Sequence, residues 1–157
     1  MYSNNGKLMV YLDGSEEAYI ALLHAIYLAK RYSSTLYGIS NVNTMALEEL
    51  VKAGILLESE RQEYQSNIND DADRHLAQFT ELSKLKNISS MAIKVKGNAS
   101  LNINAAVIKH QVELLVVGEL KYHKSAYNEV EHIIKLVPCS TIIAKDSERI
   151  KKFFYAV

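Results

Sequence analysis

The sequence predicts an α/β fold in which a five-stranded sheet is covered by helices on both faces. Three observations carry this reading. Strand-like apolar runs alternate with helical stretches along the chain, the arrangement that builds parallel sheets. Residues 113–118 (ELLVVG) hold four consecutive large aliphatics, the pattern of a strand buried on both faces. A glycine, Gly118, follows where that strand must give way to a loop. Ligands of open α/β sheets sit at such carboxyl ends, near the point where strand order reverses.

Composition limits the function classes. The 157 residues suit one domain, with a core over 6–145 and an extension over 146–157, and a chain of this length buries roughly two-thirds of its extended surface. Apolar content of 48% and charged content of 23% are ordinary for a globular domain. The 18 basic and 18 acidic residues cancel, so no net field steers nucleic acid toward the chain. No apolar run approaches the length of about 20 residues that crosses a membrane, and no signal peptide opens the sequence. The single cysteine, Cys139, excludes an internal disulfide and a cysteine zinc cluster, which makes a reducing cytoplasm the expected compartment.

The elements follow in order. Residues 7–12 (KLMVYL) read as the first strand and Asp13-Gly14-Ser15 as a turn. Ser15 or Asp13 caps the next helix, whose first turn carries Glu16 and Glu17. Residues 18–29 are apolar almost all round apart from His24, so this helix is well buried and runs to Tyr32. Residues 35–39, continuing to Val42, form the second strand and close a βαβ unit with a right-handed crossover. Residues 45–51 suit a helix that Gly54 interrupts. Residues 58–86 then read as one long helix with an apolar stripe of Tyr64, Ile68, Ala72, Leu76, Phe79, Leu82 and Leu85. Residues 90–96 (SMAIKVK) alternate and make an edge strand. Gly97-Asn98 is a turn, and Ser100 or Asn102 opens a helix to His110 with Ile103, Ala106, Val107 and Ile108 inside. After the buried strand, Asn128 and Glu131 have the spacing of a capping box for a helix over 129–137, ended by Pro138. Residues 140–144 form the last strand, and 145–157 are a charged turn with an apolar end.

Several residues are candidates for chemistry. Asp13 ends the first strand and can accept from amino or hydroxyl groups of a nucleotide, or serve as a helix cap. Gly118 lets a phosphate approach the backbone or simply turns the chain. Asn128 and the amides of its helix can hold an anion. Glu119 and Glu131 oppose one, while Lys121, His123 and Lys124 offset them or form a solvated loop. No GxGxxG fingerprint, GxxxxGK[ST] loop or GxSxG elbow is present. His75, His110, His123 and His132 have no metal-ligand spacing, and His24 reads as a core or groove histidine. Cys139 reads as a small buried hydrophobe.

Three stretches together resemble the universal stress protein family, of the adenine-nucleotide α-hydrolase-like fold. They are MVYLDGSEEAYIALLHAIYLAKRYSSTLYGI, VKGNASLNINAAVIKHQVELLVVG and VEHIIKLVPCSTIIAK. The resemblance implies a three-layer, Rossmann-like α/β/α sandwich with a parallel sheet in the order 3-2-1-4-5. It implies a nucleotide pocket with Asp13 at the nucleoside and the backbone near Asn41 and Val42 along its wall. Nucleotide-binding members carry a glycine, two residues, a glycine, nine residues, then glycine and Ser or Thr. Gly118 meets the first glycine, and the second falls on Lys121. Counting back from Pro138-Cys139 puts the last pair on Tyr127 and Asn128, with a loop about four residues short. Such a loop cannot follow the same tight backbone path.

The adenosine side therefore reads as kept and the phosphate side as lost. The expected function is that of a cytoplasmic, non-enzymatic stress protein acting through dimerisation and partner contact without ATP or other cofactor. The homodimer is expected through the last strand, with the 146–157 extension covering that edge, adding to the interface or flapping onto its own core. One alternative is an ATP- or AMP-binding switch with Mg²⁺, using Asp13, Asn41, Val42, Gly118, Lys121 and Asn128. Another is an enzyme of the wider superfamily, which the absence of HxGH and SGGxDS-type signatures argues against.

Overall fold

A computed structural model describes residues 5–120 and 126–157. The strands are β1 (Lys7–Tyr11), β2 (Thr35–Val42), β3 (Ser90–Lys96), β4 (Leu114–Gly118) and β5 (Ser140–Ala144). The helices are α1 (Glu16–Tyr32), α2 (Thr44–Lys52), α3 (Arg61–Leu85), α4 (Ala99–Lys109), α5 (Ala126–Leu136) and α6 (Ser147–Ala156). The sheet has five strands in the order β3-β2-β1-β4-β5, and all its pairings are parallel. Order reverses between β1 and β4, as the resemblance implied.

Alternation along the central strands divides the interior in two. Leu8, Val10, Leu114 and Val116 face α1, α3 and α6, where they meet Leu22, Ile26, Phe79 and Phe154. Met9, Tyr11, Leu115 and Val117 face α4 and α5, where they meet Ile103, Val107 and Ile133. A three-layer sandwich results. Helix α1 is apolar almost all round because it touches the sheet on one side and α6 on another. Ser15 caps it, its Oγ accepting from the Ala18 N–H at 3.1 Å. Glu16 and Glu17 suit its positive end, Lys30 and Arg31 its negative end, and Ser33 closes it in the left-handed conformation.

The structure corrects the sequence reading of three helices. The stripe on α3 is shorter than expected: Tyr64 is 40% and Leu85 70% exposed. A helix of 25 residues spans about 37 Å, whereas the 8 residues of β2 span about 26 Å, so the helix ends overhang the sheet. A separate 3-10 turn at Glu58–Glu60 precedes α3. Helix α4 begins at Ala99 under an Asn98 cap, whose Oδ1 accepts from the Leu101 N–H at 3.0 Å. Its Ile108 is 59% exposed, because it stands about 140° round the helix from Ile103. Helix α5 begins at Ala126, so Tyr127 and Asn128 lie in its first turn and Asn128 is not its cap. Neither Gly nor Pro stands between Gly118 and that turn to stop it from forming.

The extension is helical and packs on its own chain. Residues 147–156 form α6, which packs on α1. Ile150 and Phe154 join the core, and Phe153 stacks on Tyr27 with ring centroids 5.1 Å apart. Lys86 lies 4.5 Å from the Phe154 ring and donates to the Val157 carbonyl at 3.0 Å. Ile150 and Phe154 of the tail thus help to cover its own chain's core. No described helix is long and apolar enough to cross a membrane.

Candidate functional site at the carboxyl ends of β1 and β2

The backbone of β1 is held past its last strand residue. The Leu12 N–H donates to the Ile39 carbonyl at 2.9 Å, and the buried Ser40 hydroxyl donates to the Leu12 carbonyl at 3.0 Å. Asp13 is thereby fixed at the sheet's rim, exposed to solvent. Its Oδ1 accepts from the Ser15 N–H at 2.9 Å and from the Ser15 hydroxyl at 2.6 Å. Ser15 is the cap, and Asp13 braces the capping hydroxyl. Gly14 turns the chain at φ +85°, and a Cβ there would lie 2.5 Å from His75 Nε2. Only glycine lets the His75 ring close over this turn.

A cavity of about 230 Å³ opens beside Asp13. Tyr11 and Asp13 line it from β1, while Ser40, Asn41 and Asn43 line it from the end of β2. Helix α3 supplies Ile68, Asp71, Ala72 and His75, and α5 supplies Glu129. The Tyr11 hydroxyl donates to Glu129 Oε1, joining the end of β1 to the first turn of α5 across the switch point. Burial, and then the charges of Glu129 and Asp13, push the Tyr11 phenol well above its ordinary range, so it remains a donor. Burial pushes His75 below its ordinary value; the Asp13 charge opposes that shift and the Arg74 charge adds to it. Its Nδ1 is buried without a partner. Arg74 pairs with Asp71.

The residues named from the sequence separate into groups. Asp13 and Asn41 meet at this cavity. Asn41 is also structural, donating to the Gly97 carbonyl at 3.0 Å and accepting from Asn102 Nδ2 at 3.0 Å. Val42 is buried, and its carbonyl accepts from the Gly97 N–H at 3.0 Å; its side chain does not line the cavity. Gly118 is the last residue of β4, and a Cβ there would lie 2.6 Å from the carbonyl carbon of Glu17. Close packing of α1 on β4 thus accounts for this glycine without a ligand. Lys121 lies outside the described residues, as do His123 and Lys124, and so does the Asn128 side chain. Cys139 is half-buried against the second core, and burial pushes its thiol up.

Tyr11, Asp71, His75 and Glu129 escaped the sequence reading. A signal for three of them was present. Tyr11 and Asp13 are two apart on a strand and share a face. Ile68, Asp71, Ala72 and His75 fall at i, i+3, i+4 and i+7, so two polar groups interrupt an otherwise apolar stripe. Glu129 had no comparable signal, because its place depends on where α5 begins. Among the described residues, no three His, Cys, Asp or Glu side chains converge to hold a metal ion.

The arrangement offers acceptors suited to hydroxyl and amino groups. The described lining carries no lysine or arginine for phosphates.

Comparison with known proteins agrees with the fold. No curated protein matches the chain at a significant level. The structure of a universal stress protein, UspA, from Lactobacillus plantarum is similar over 91% of this chain and 99% of that one, with 18% identity and a TM-score of 0.71. A Burkholderia pseudomallei protein of the same family matches over 91% and 98%, with 16% identity and a TM-score of 0.71. An AMP-bound family protein from Arabidopsis thaliana matches over 92% and 94%, with 12% identity and a TM-score of 0.61. At these identities the structures establish a shared fold. The model of the universal stress protein family itself matches residues 4–145, and the chain belongs to that family.

Proposed function

We propose that this protein is a non-catalytic, adenine-nucleotide-responsive switch that takes the nucleoside end of its ligand into the cavity beside Asp13. The observation that carries the reading is the exposed Asp13 carboxylate, fixed at the carboxyl end of β1 and facing a cavity with Asn41 and Asn43. A carboxylate so placed suits a ribose hydroxyl or an adenine amino group. The AMP carried by the Arabidopsis relative supports a ligand of this class in the same fold. Binding at this point ties the ends of β1 and β2 to α3, so occupancy stabilises the folded form by mass action. Turnover is not expected.

Calorimetric titration of nucleotide-stripped protein with adenosine and AMP tests the reading. Binding in the micromolar range is expected, weakened about 10-fold or more in Asp13→Ala, as loss of a hydrogen bond to a charged group implies. No heat and no melting shift up to millimolar ligand would reject it.

A second reading, action through self-association and protein partners, is favoured by β5. This strand is a sheet edge, and its Ile143 is 38% exposed. An apolar edge invites pairing with another strand. The two readings are compatible, since the cavity and that edge lie on different strands.

A further inference from the structure

We propose that the amino-terminal end of the sheet, where α1, α3 and α6 finish, is a docking face for an anionic lipid surface. Formal charges cancel over the whole chain, but the fold separates them. A helix that connects parallel strands starts at the carboxyl end of one and finishes at the amino end of the next. First turns carry Glu16, Glu17, Glu63, Glu129 and Glu148. Last turns carry Lys30, Arg31, Lys84, Lys109 and Lys135. Each placement suits its own helix dipole. Because the helices share one direction, these carboxylates gather at the carboxyl ends of the strands and these cations at the amino ends.

Contacts made by α6 bring the basic helix ends together. Phe153 stacks on Tyr27, one turn before Lys30 and Arg31 of α1. Lys86, which ends α3, lies 4.5 Å from the Phe154 ring and reaches the Val157 carbonyl. Lys84, Lys151 and Lys152 stand exposed around this junction. Among the described residues no Asp or Glu pairs with Lys30, Arg31, Lys84, Lys86, Lys151 or Lys152, whereas Arg61, Arg74 and Lys94 elsewhere are paired. Glu81, one turn before Leu85, is a carboxylate of the same helix end, and residues 1–4 carry no charged side chain. Large apolar groups stand among the cations: Leu85 is 70% and Tyr155 71% exposed, and Leu85 lies on the end of α3 that overhangs the sheet. An anionic bilayer matches both features, since its headgroups attract Lys and Arg while its interface accepts Leu and Tyr. A nucleic acid matches the charge but offers stacking faces, which an aliphatic Leu85 does not use. No described helix is long and apolar enough to cross a membrane, so the contact is peripheral.

Co-sedimentation of the full chain with vesicles tests this, using phosphatidylcholine alone and an equal mixture with phosphatidylserine. Binding to the mixed vesicles only is expected, and it should disappear at 1 M salt, where charges are screened beyond about 3 Å. Each cation near an anionic surface contributes about 5-fold in partitioning, so Lys151→Gln/Lys152→Gln should weaken binding at least about 10-fold. Lys52→Gln/Lys96→Gln removes the same charge from α2 and the carboxyl end of β3, away from this face, and should leave binding nearly unchanged. Leu85→Ser should weaken binding while its salt dependence stays the same. All five positions are exposed, and melting transitions check that each variant folds. No sedimentation with the mixed vesicles, or equal sedimentation with the neutral ones, would overturn the proposal. So would equal losses from the two lysine pairs, which would put net charge in place of this face. A single-stranded oligonucleotide that binds more tightly than the vesicles and displaces them would assign the face to nucleic acid and overturn the lipid reading.

Discussion

Gly118 shows how one residue answers to packing before chemistry. Its missing Cβ makes room for the backbone at Glu17, so α1 can begin close against β4. Gly118→Ala is expected to cost about 1–3 kcal/mol, the usual range for overpacking, measured by urea denaturation. A change below about 0.5 kcal/mol would mean that the first turn of α1 yields. The histidines carry a second expectation. Burial lowers both His24 and His75 from the ordinary value of 6.5. Above about pH 6.5 both are neutral in folded and unfolded chains alike. Below it the unfolded chain takes up protons first, so stability falls as pH drops from about 6.5 toward the depressed folded values. Thermal melts from neutral to mildly acidic pH should show a falling Tm, and His24→Gln should flatten the slope. Asp13 was legible at this scale because it ends a clear strand. Its choice between capping and ligand binding was not, since only the turn geometry shows that Ser15 caps and Asp13 braces it.

At the scale of elements, α6 is the piece whose role depends most on context. Read alone, residues 146–157 are a charged segment with three aromatics. Folded, they place Ile150 and Phe154 one turn apart against α1 and leave Tyr155 in solvent. Phe154, 2% exposed, should cost about 3–5 kcal/mol on replacement by alanine, whereas Tyr155→Ala should stay within about 0.5 kcal/mol. Chemical denaturation of the two variants separates a core helix from a tail that serves an interface. Equal and small effects would contradict the packing described. The same dependence on context explains α5. Capping-box spacing at Asn128 and Glu131 suggested its start, but nothing in the preceding residues breaks a helix, and the turn extends to Ala126.

For the whole molecule, the strand pattern was the most legible feature. Four aliphatics at the start of β4 and the alternation in β3 distinguish a central strand from an edge by side-chain chemistry alone. The cavity was less so, because its walls come from β1, β2, α3 and α5, whose residues lie up to 118 positions apart. If copies of the chain pair through β5, Ile143→Lys should give a monomer by light scattering while the melting temperature holds. A mass identical to that of the unaltered protein would reject this edge as the contact. β1 has a further consequence. It is paired on both sides, by β2 and β4, and Leu8, Met9, Val10 and Tyr11 are all buried. Its amides should exchange with deuterium only when the entire chain opens, while those of Met91 and Lys94 on β3 exchange through local fraying. Asp13 is thus anchored just beyond the slowest-exchanging backbone in the molecule, and its position should persist on timescales far longer than ligand residence.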